Sequence, residues 1–448
     1  MTRAKDLKRR VRTRMTKTGE RYTTARAHVL ARSATSPTAG RTKSKPARPV
    51  AQHGETYALS GFLAAAGVVD PGTGEPFAEA MLLGIGGGLG AAYFVFEYKG
   101  HPPHLYIGTR VGHQYPYTAD FATAVCSRLG VEIRVHEIGS KKTASKHLVR
   151  ATDGGRAALV WTDMGSLSYW QIDEAQKGAL PHVVLVTRID QEANNAAVID
   201  HSARPFSLPL GELVEARARL RKAKNRVIEI IPKQQVDDLC PAVHNGLVAC
   251  VNSLRDGALV ASAAGNFGLS ALDKWAHLVN NPRDKKGWPR AFRPGIPLYT
   301  GLRQTYFWIE MAGTGGGAFR PMYADFLDRA AQLLDRPTLG DLAGEYRSLG
   351  DAWTELAEAA LPETVSILAE TRALLRQKHD AVRRRDSGWM QIIGTANQRL
   401  DQIEKQVESE FPLDDASIND LYADLERRLR DVTRRERDAV DRLAHAIG

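Results

Sequence analysis

The residues able to do chemistry stand at the edges of predicted elements. His182 opens an apolar run, Pro181-His182-Val183-Val184-Leu185-Val186, and Asp200 closes another, Ala196-Ala197-Val198-Ile199-Asp200. Both runs read as strands, and Asp190–Asn195 between them is turn-forming. If the strands form a hairpin, the start of the first lies beside the end of the second, and His182 meets Asp200. An imidazole oriented by a carboxylate is a general base or the partner of a nucleophile. A third segment, Gln52-His53-Gly54-Glu55-Thr56, opens a helix in which Leu59, Phe62, Leu63 and Ala66 keep helical spacing until Gly67. Taken alone, this segment reads only as a helix N-terminus.

These residues need a scaffold. A helix through Ala78–Leu83 runs into the turn Gly84–Gly90 and the strand AAYFVFEY. RVHEI (134–138), AALVW (157–161), HVVLVTRI (182–189), AAVID (196–200) and RVIEII (226–231) read as strands between helices, which predicts an α+β domain. From Val236 the pattern is helical over 236–255, 267–280, 321–334 and 341–360, with a Gly-rich turn at Gly313–Gly317. Beyond Pro362, Leu400, Ile403 and Val407 form one apolar seam, and Leu421, Leu425, Leu429 and Val432 another. They predict an antiparallel helical hairpin or short coiled coil, which permits self-association into an oligomer. The expected layout is a basic, partly disordered arm (1–50), the α+β domain (51–231), a helical accessory domain (232–362) and a helical tail (363–448).

The order of motifs resembles the N-terminal domain of the butirosin biosynthesis protein H family. The resemblance rests on HxETxAL (53–59), EAMLLGIGGGLG (79–90), the strand with Asp163 followed by Tyr169-Trp170, then His182-Val183-Val184 and Ile199-Asp200. GNFGLSALDKWA (265–276) and GTGGGAFRPMYADFLDRAA (313–331) resemble an uncharacterised helical domain that often accompanies it. The resemblance implies a papain-like, cysteine-peptidase-like fold and acyl transfer from a carrier protein to an amine. It implies His182 as base and Asp200 as orienting acid. It also implies a Cys after the first His, where this chain has His53-Gly54. Three readings are open: a degenerate member binding a peptide, acyl-carrier-linked or natural-product ligand; a transferase or amide hydrolase using His182 as general base without a covalent intermediate; and a binder of nucleic acid or another polyanion.

The third reading rests on charge. Residues 1–50 hold 15 Lys and Arg against Asp6 and Glu20, whereas the remaining chain is slightly acidic. Lys8, Arg9, Arg10, Arg12 and Arg14 are the candidate phosphate contacts. Gly86, Gly87, Gly88, Asp163 and Arg320 are candidate ligand contacts, the glycines through backbone amides that can cradle an anion. The plainer reading of Gly84–Gly90 is a tight turn. No cofactor or metal site is expected: His101, His104 and His113 read as surface residues, and Cys240 with His244 lacks a second ligand pair. The three scattered cysteines suggest a reducing cytoplasm, and neither a signal peptide nor a membrane span is expected.

Overall fold

The computed structural model describes residues 51–110, 119–172, 177–178, 180–201, 205–231, 234–256 and 265–448. The basic arm, with Lys8, Arg9, Arg10, Arg12 and Arg14, lies outside the described residues. Pro49–Gly448 forms one compact unit.

It begins with helices α1 (Gly54–Ala65) and α2 (Glu79–Ile85), then a two-stranded antiparallel sheet of β1 (Leu89–Phe96) and β2 (His104–Arg110). Helix α3 (Ala119–Arg128), strand β3 (Ile133–His136) and helix α4 (Lys141–Ala151) come after it. Next are β4 (Ala158–Asp163), β5 (Pro181–Asp190), β6 (Asn195–Ile199), β7 (Phe206–Pro209), α5 (Leu210–Arg219) and β8 (Val227–Ile230). Strands β3 to β8 form a six-stranded antiparallel sheet in the order β3-β8-β4-β5-β6-β7. This is the papain-like α+β part, and the C-terminal part of the chain is helical.

Near-continuous apolar runs in β4 and β5 reflect a sheet covered on both faces. Leu159, Trp161, Val183, Leu185 and Ile228 join the main core with α1. Val160, Val184, Val186, Val198 and Val227 face Leu148 of α4 and Leu213 and Ala216 of α5. The two-residue period of a strand divides its side chains in this way. β5 pairs with β6 in the expected hairpin, with Val186 opposite Val198 and Leu185 opposite Ile199.

The helical part comprises α6 (Cys240–Asp256), α7 (Gly268–Leu278), α8 (Ile296–Tyr306), α9 (Arg320–Leu333), α10 (Pro337–Ala360), α11 (Ser366–Arg384), α12 (Trp389–Ser409) and α13 (Asp415–Ile447). Asp414 caps α13 by accepting from Ser417 N at 2.8 Å. Helices α11 and α12 pair as a hairpin. Helix α13 packs on α10, α6 and α7 and enters the main core. Its Glu436 is fully buried and accepts from Arg320 Nε and Trp353 Nε1, both at 2.7 Å. Among the described residues no helix is long and apolar enough to cross a membrane.

Candidate functional site

Because β5 and β6 are antiparallel, His182 at the start of one and Asp200 just past the end of the other reach the same end of the sheet. His182 Nε2 lies 2.9 Å from Asp200 Oδ2. Asp200 is fully buried and has further partners: Tyr169 Oη donates to Oδ2 at 2.7 Å, and His201 Nδ1 lies 2.6 Å from Oδ1. Arg385, just past the end of α11, places Nη2 3.8 Å from Oδ2 and stacks over the rings of Phe206, Tyr169 and Trp389. Burial alone would raise the Asp200 carboxyl, but the facing rings of His182 and His201 outweigh it and hold it well below the usual carboxylate range. Burial and the Asp200 charge together push Tyr169 well above its ordinary value, so it remains a donor.

His201 is the residue that sequence reasoning passed over. It adopts φ 49°, a left-handed conformation uncommon outside glycine. That turn redirects the chain after β6 and lays the imidazole parallel to His182, with ring centroids 5.7 Å apart and an interplanar angle of 8°. Trp170 packs edge-on against both rings at 5.6 and 5.5 Å. The His201 ring also fills the space in front of Gly54. A Cβ at position 54 would stand 2.8 Å from His201 Nδ1 and closer still to Cε1. Gly54 is therefore the residue that lets this ring sit at the N-terminus of α1.

The start of α1 is fixed independently. His53 accepts at Nδ1 from Thr56 N at 3.2 Å and so caps the helix. Glu79, the first residue of α2, accepts from Gln52 N and His53 N at 2.9 Å and from Thr56 Oγ1 at 2.8 Å. A carboxylate there complements the helix dipole, although burial dominates and raises its pKa. Glu55 is buried against Arg110, and burial again prevails and raises its pKa. Thr56 and Ser60 are committed hydroxyls, the latter donating to Phe77 O at 2.7 Å. Neither is placed as a substitute nucleophile. Burial pushes the thiols of Cys126 and Cys250 up to about 12 and about 11, and Cys240 is raised by its hydrogen bond with Asp238.

The other expected ligand contacts have structural roles. Gly86, Gly87 and Gly88 spend their amides on Leu82 O, Gly84 O and Leu83 O, closing α2. A side chain at Gly86 would run into Phe121, and one at Gly88 into Tyr323. Asp163 is fully buried, accepting from Ser166 Oγ at 2.6 Å and Leu180 N at 3.2 Å. Arg320 has no exposed side-chain surface, and its partners are Glu436 and the carbonyls of Thr109 and Ala318. Asp163 ends β4 opposite Pro181 and so lies next to His182 in the sheet, but its carboxylate is engaged by Ser166 and Leu180.

His182, Asp200 and His201 are close enough to share a metal ion. The donors already on Asp200 and the Arg385 cation beside it work against a second cation there. Nearby, burial with help from Arg383 and His201 lowers His379 from 6.5 to about 4. The unfolded chain then takes up a proton in this window that the folded chain refuses. Stability is intact above the upper value and falls toward the lower one, by about 1.4 kcal/mol per pH unit at the steepest. His379→Gln is expected to remove this component. Urea midpoints compared near neutrality and at about pH 4.5 check it, and an unchanged pH dependence in the variant would refute it.

Residues 53–201 match the family model described as "Butirosin biosynthesis protein H, N-terminal". Residues 212–384 match that described as "Domain of unknown function (DUF4872)". No curated protein matches the chain. With the papain-like sheet, the His182–Asp200 contact and the helix opening at Gly54 in place, residues 53–201 belong to the butirosin biosynthesis protein H N-terminal family, followed by the uncharacterised helical domain.

Proposed function

We propose that this chain is a degenerate member of the acyltransferase-like family that binds an acyl-carrier-linked, peptide or natural-product ligand without forming an acyl-enzyme. One observation carries the reading: the His201 ring occupies the space that a side chain at position 54 would need. Loss of a nucleophile alone would leave a gap at the helix start. Here a second residue fills it, held by the same carboxylate that faces His182. The experiment is incubation of the full chain with short acyl thioesters and with acyl-loaded carrier protein, followed by intact-mass spectrometry. No adduct is expected, while acyl-loaded carrier protein should bind more tightly than unloaded carrier. A stable acyl adduct on the unaltered chain would end the proposal.

A second reading draws on the His182–Asp200 contact. An imidazole paired with a buried carboxylate remains a suitable general base for an amine or water nucleophile. It predicts turnover without an adduct, abolished in His182→Ala. Turnover unchanged in that variant would exclude it.

A further inference from the structure

At the other edge of the six-stranded sheet lies a second cluster that the acyl-transfer reading leaves unused. We propose that His136, His147 and Glu229 form a binding site for a divalent zinc-class ion. His136 ends the edge strand β3, Glu229 lies on β8, and His147 projects from α4. The register places Arg134 opposite Glu229 and His136 opposite Val227, so His136 and Glu229 share the sheet face that α4 covers.

Three observations support a cation at this point. First, both imidazoles aim the same nitrogen at one oxygen. His147 Nε2 lies 2.9 Å and His136 Nε2 3.2 Å from Glu229 Oε1, and the rings approach to 4.2 Å. One carboxylate oxygen facing two imidazole nitrogens is the arrangement a metal would draw together. Zinc bound tetrahedrally at its usual 2.0–2.1 Å holds neighbouring N and O ligands about 3.3 Å apart. Second, among the described residues no Lys or Arg lies within ion-pair distance of Glu229. The adjacent carboxylate, Glu137, has both Arg226 and Lys224. Third, the three side chains are 34, 23 and 19% exposed. They are held in place yet leave a solvent-facing position for water to complete the coordination. Two His and one Glu form a known ligand set for zinc with an open fourth position. The Asp200 cluster differs on each count, being enclosed and already beside Arg385.

Bound there, the ion would tie the four-residue edge strand β3 to β8 and α4. Ligands brought from three separate segments leave no spacing motif, which is why no metal site is expected from the sequence.

The test is calorimetric titration of the full chain with Zn2+, with the visible absorption of Co2+ as a signature of nitrogen and oxygen ligation. One ion per chain is expected at this site, with affinity falling at least about tenfold in His147→Ala and in Glu229→Gln. Glu229→Gln preserves shape, so its loss of binding does not hinge on folding. His182→Ala, made in the other cluster, is expected to leave the titration unchanged. Zn2+ affinity that is equal in the unaltered chain and in both cluster variants overturns the proposal. So does the absence of saturable binding in the unaltered chain, or loss of binding in His182→Ala alone.

Discussion

Gly54→Cys alone is expected to destabilise the protein and remain inert toward acyl thioesters, whereas Gly54→Cys combined with His201→Gly is expected to form a stable acyl adduct. The single substitution builds a side chain into the His201 ring, whose Nδ1 would lie 2.8 Å from the new Cβ. That ring cannot simply swing aside. Its Nδ1 is held by Asp200 at 2.6 Å, and Trp170 packs against its face. Overpacking of this kind costs about 1–3 kcal/mol. His201→Gly removes the obstruction at a residue with φ 49°, a conformation glycine accepts without strain. The new thiol would then stand at the start of α1 in the space vacated beside His182, where the helix dipole and an adjacent imidazole favour the thiolate. Attack on a thioester carbonyl forms the enzyme thioester and releases the donor thiolate, which takes up a proton. Intact mass and a thermal melt on each variant separate the outcomes. A folded double variant that gains no mass would show that His182 and Asp200 no longer support acyl transfer. An adduct on Gly54→Cys alone would show that His201 yields, and would remove the steric argument.

Much of this site is legible in the chain because it lies at element ends. His182 and Asp200 meet because two apolar strands are joined by a short polar turn, and both signals are local. Gly54 is legible only beside its neighbours, as a missing side chain at a helix start. His201 is not legible, since a positive φ at a non-glycine residue decides where its ring goes, and nothing local announces it. Arg385 is also hidden, because the end of α11 reaches the sheet only through long-range packing. The seam Leu421, Leu425, Leu429 and Val432 does predict the buried face of α13. Its next member, Glu436, looks like a solvated charge until Arg320 and Trp353 are placed against it. The burial of Arg320 is hidden for the same reason: a buried ion pair and a ligand contact look alike in sequence. At Gly86–Gly88 a turn and an anion-cradling loop look alike in sequence, and the structure shows those amides closing α2.

Asp200→Ala is expected to have the largest effect of any single substitution at the site, lowering stability by about 3–5 kcal/mol near neutral pH. The carboxylate is the common partner of Tyr169, His182 and His201, and Arg385 stands next to it. Removing it leaves a buried hydroxyl, two imidazoles and a guanidinium facing a void. It also frees the His201 ring, so the filling in front of Gly54 loosens as well. Asp200→Asn is expected to cost less, because an amide keeps the volume and one acceptor. The acid side supplies the check on mechanism. Asp200 titrates below its ordinary value in the folded chain. Its stabilisation is therefore complete above the unfolded carboxyl pKa of about 3.9, and is lost as pH falls through the lower folded value. The gap in urea midpoint between the unaltered protein and Asp200→Asn should hold from neutrality down to the unfolded carboxyl pKa of about 3.9 and then narrow as the pH falls further. If that gap is already small near neutrality, Asp200 is not the electrostatic centre of the site. A gap that persists unchanged to the lowest pH would mean that the loss comes from packing and not from charge.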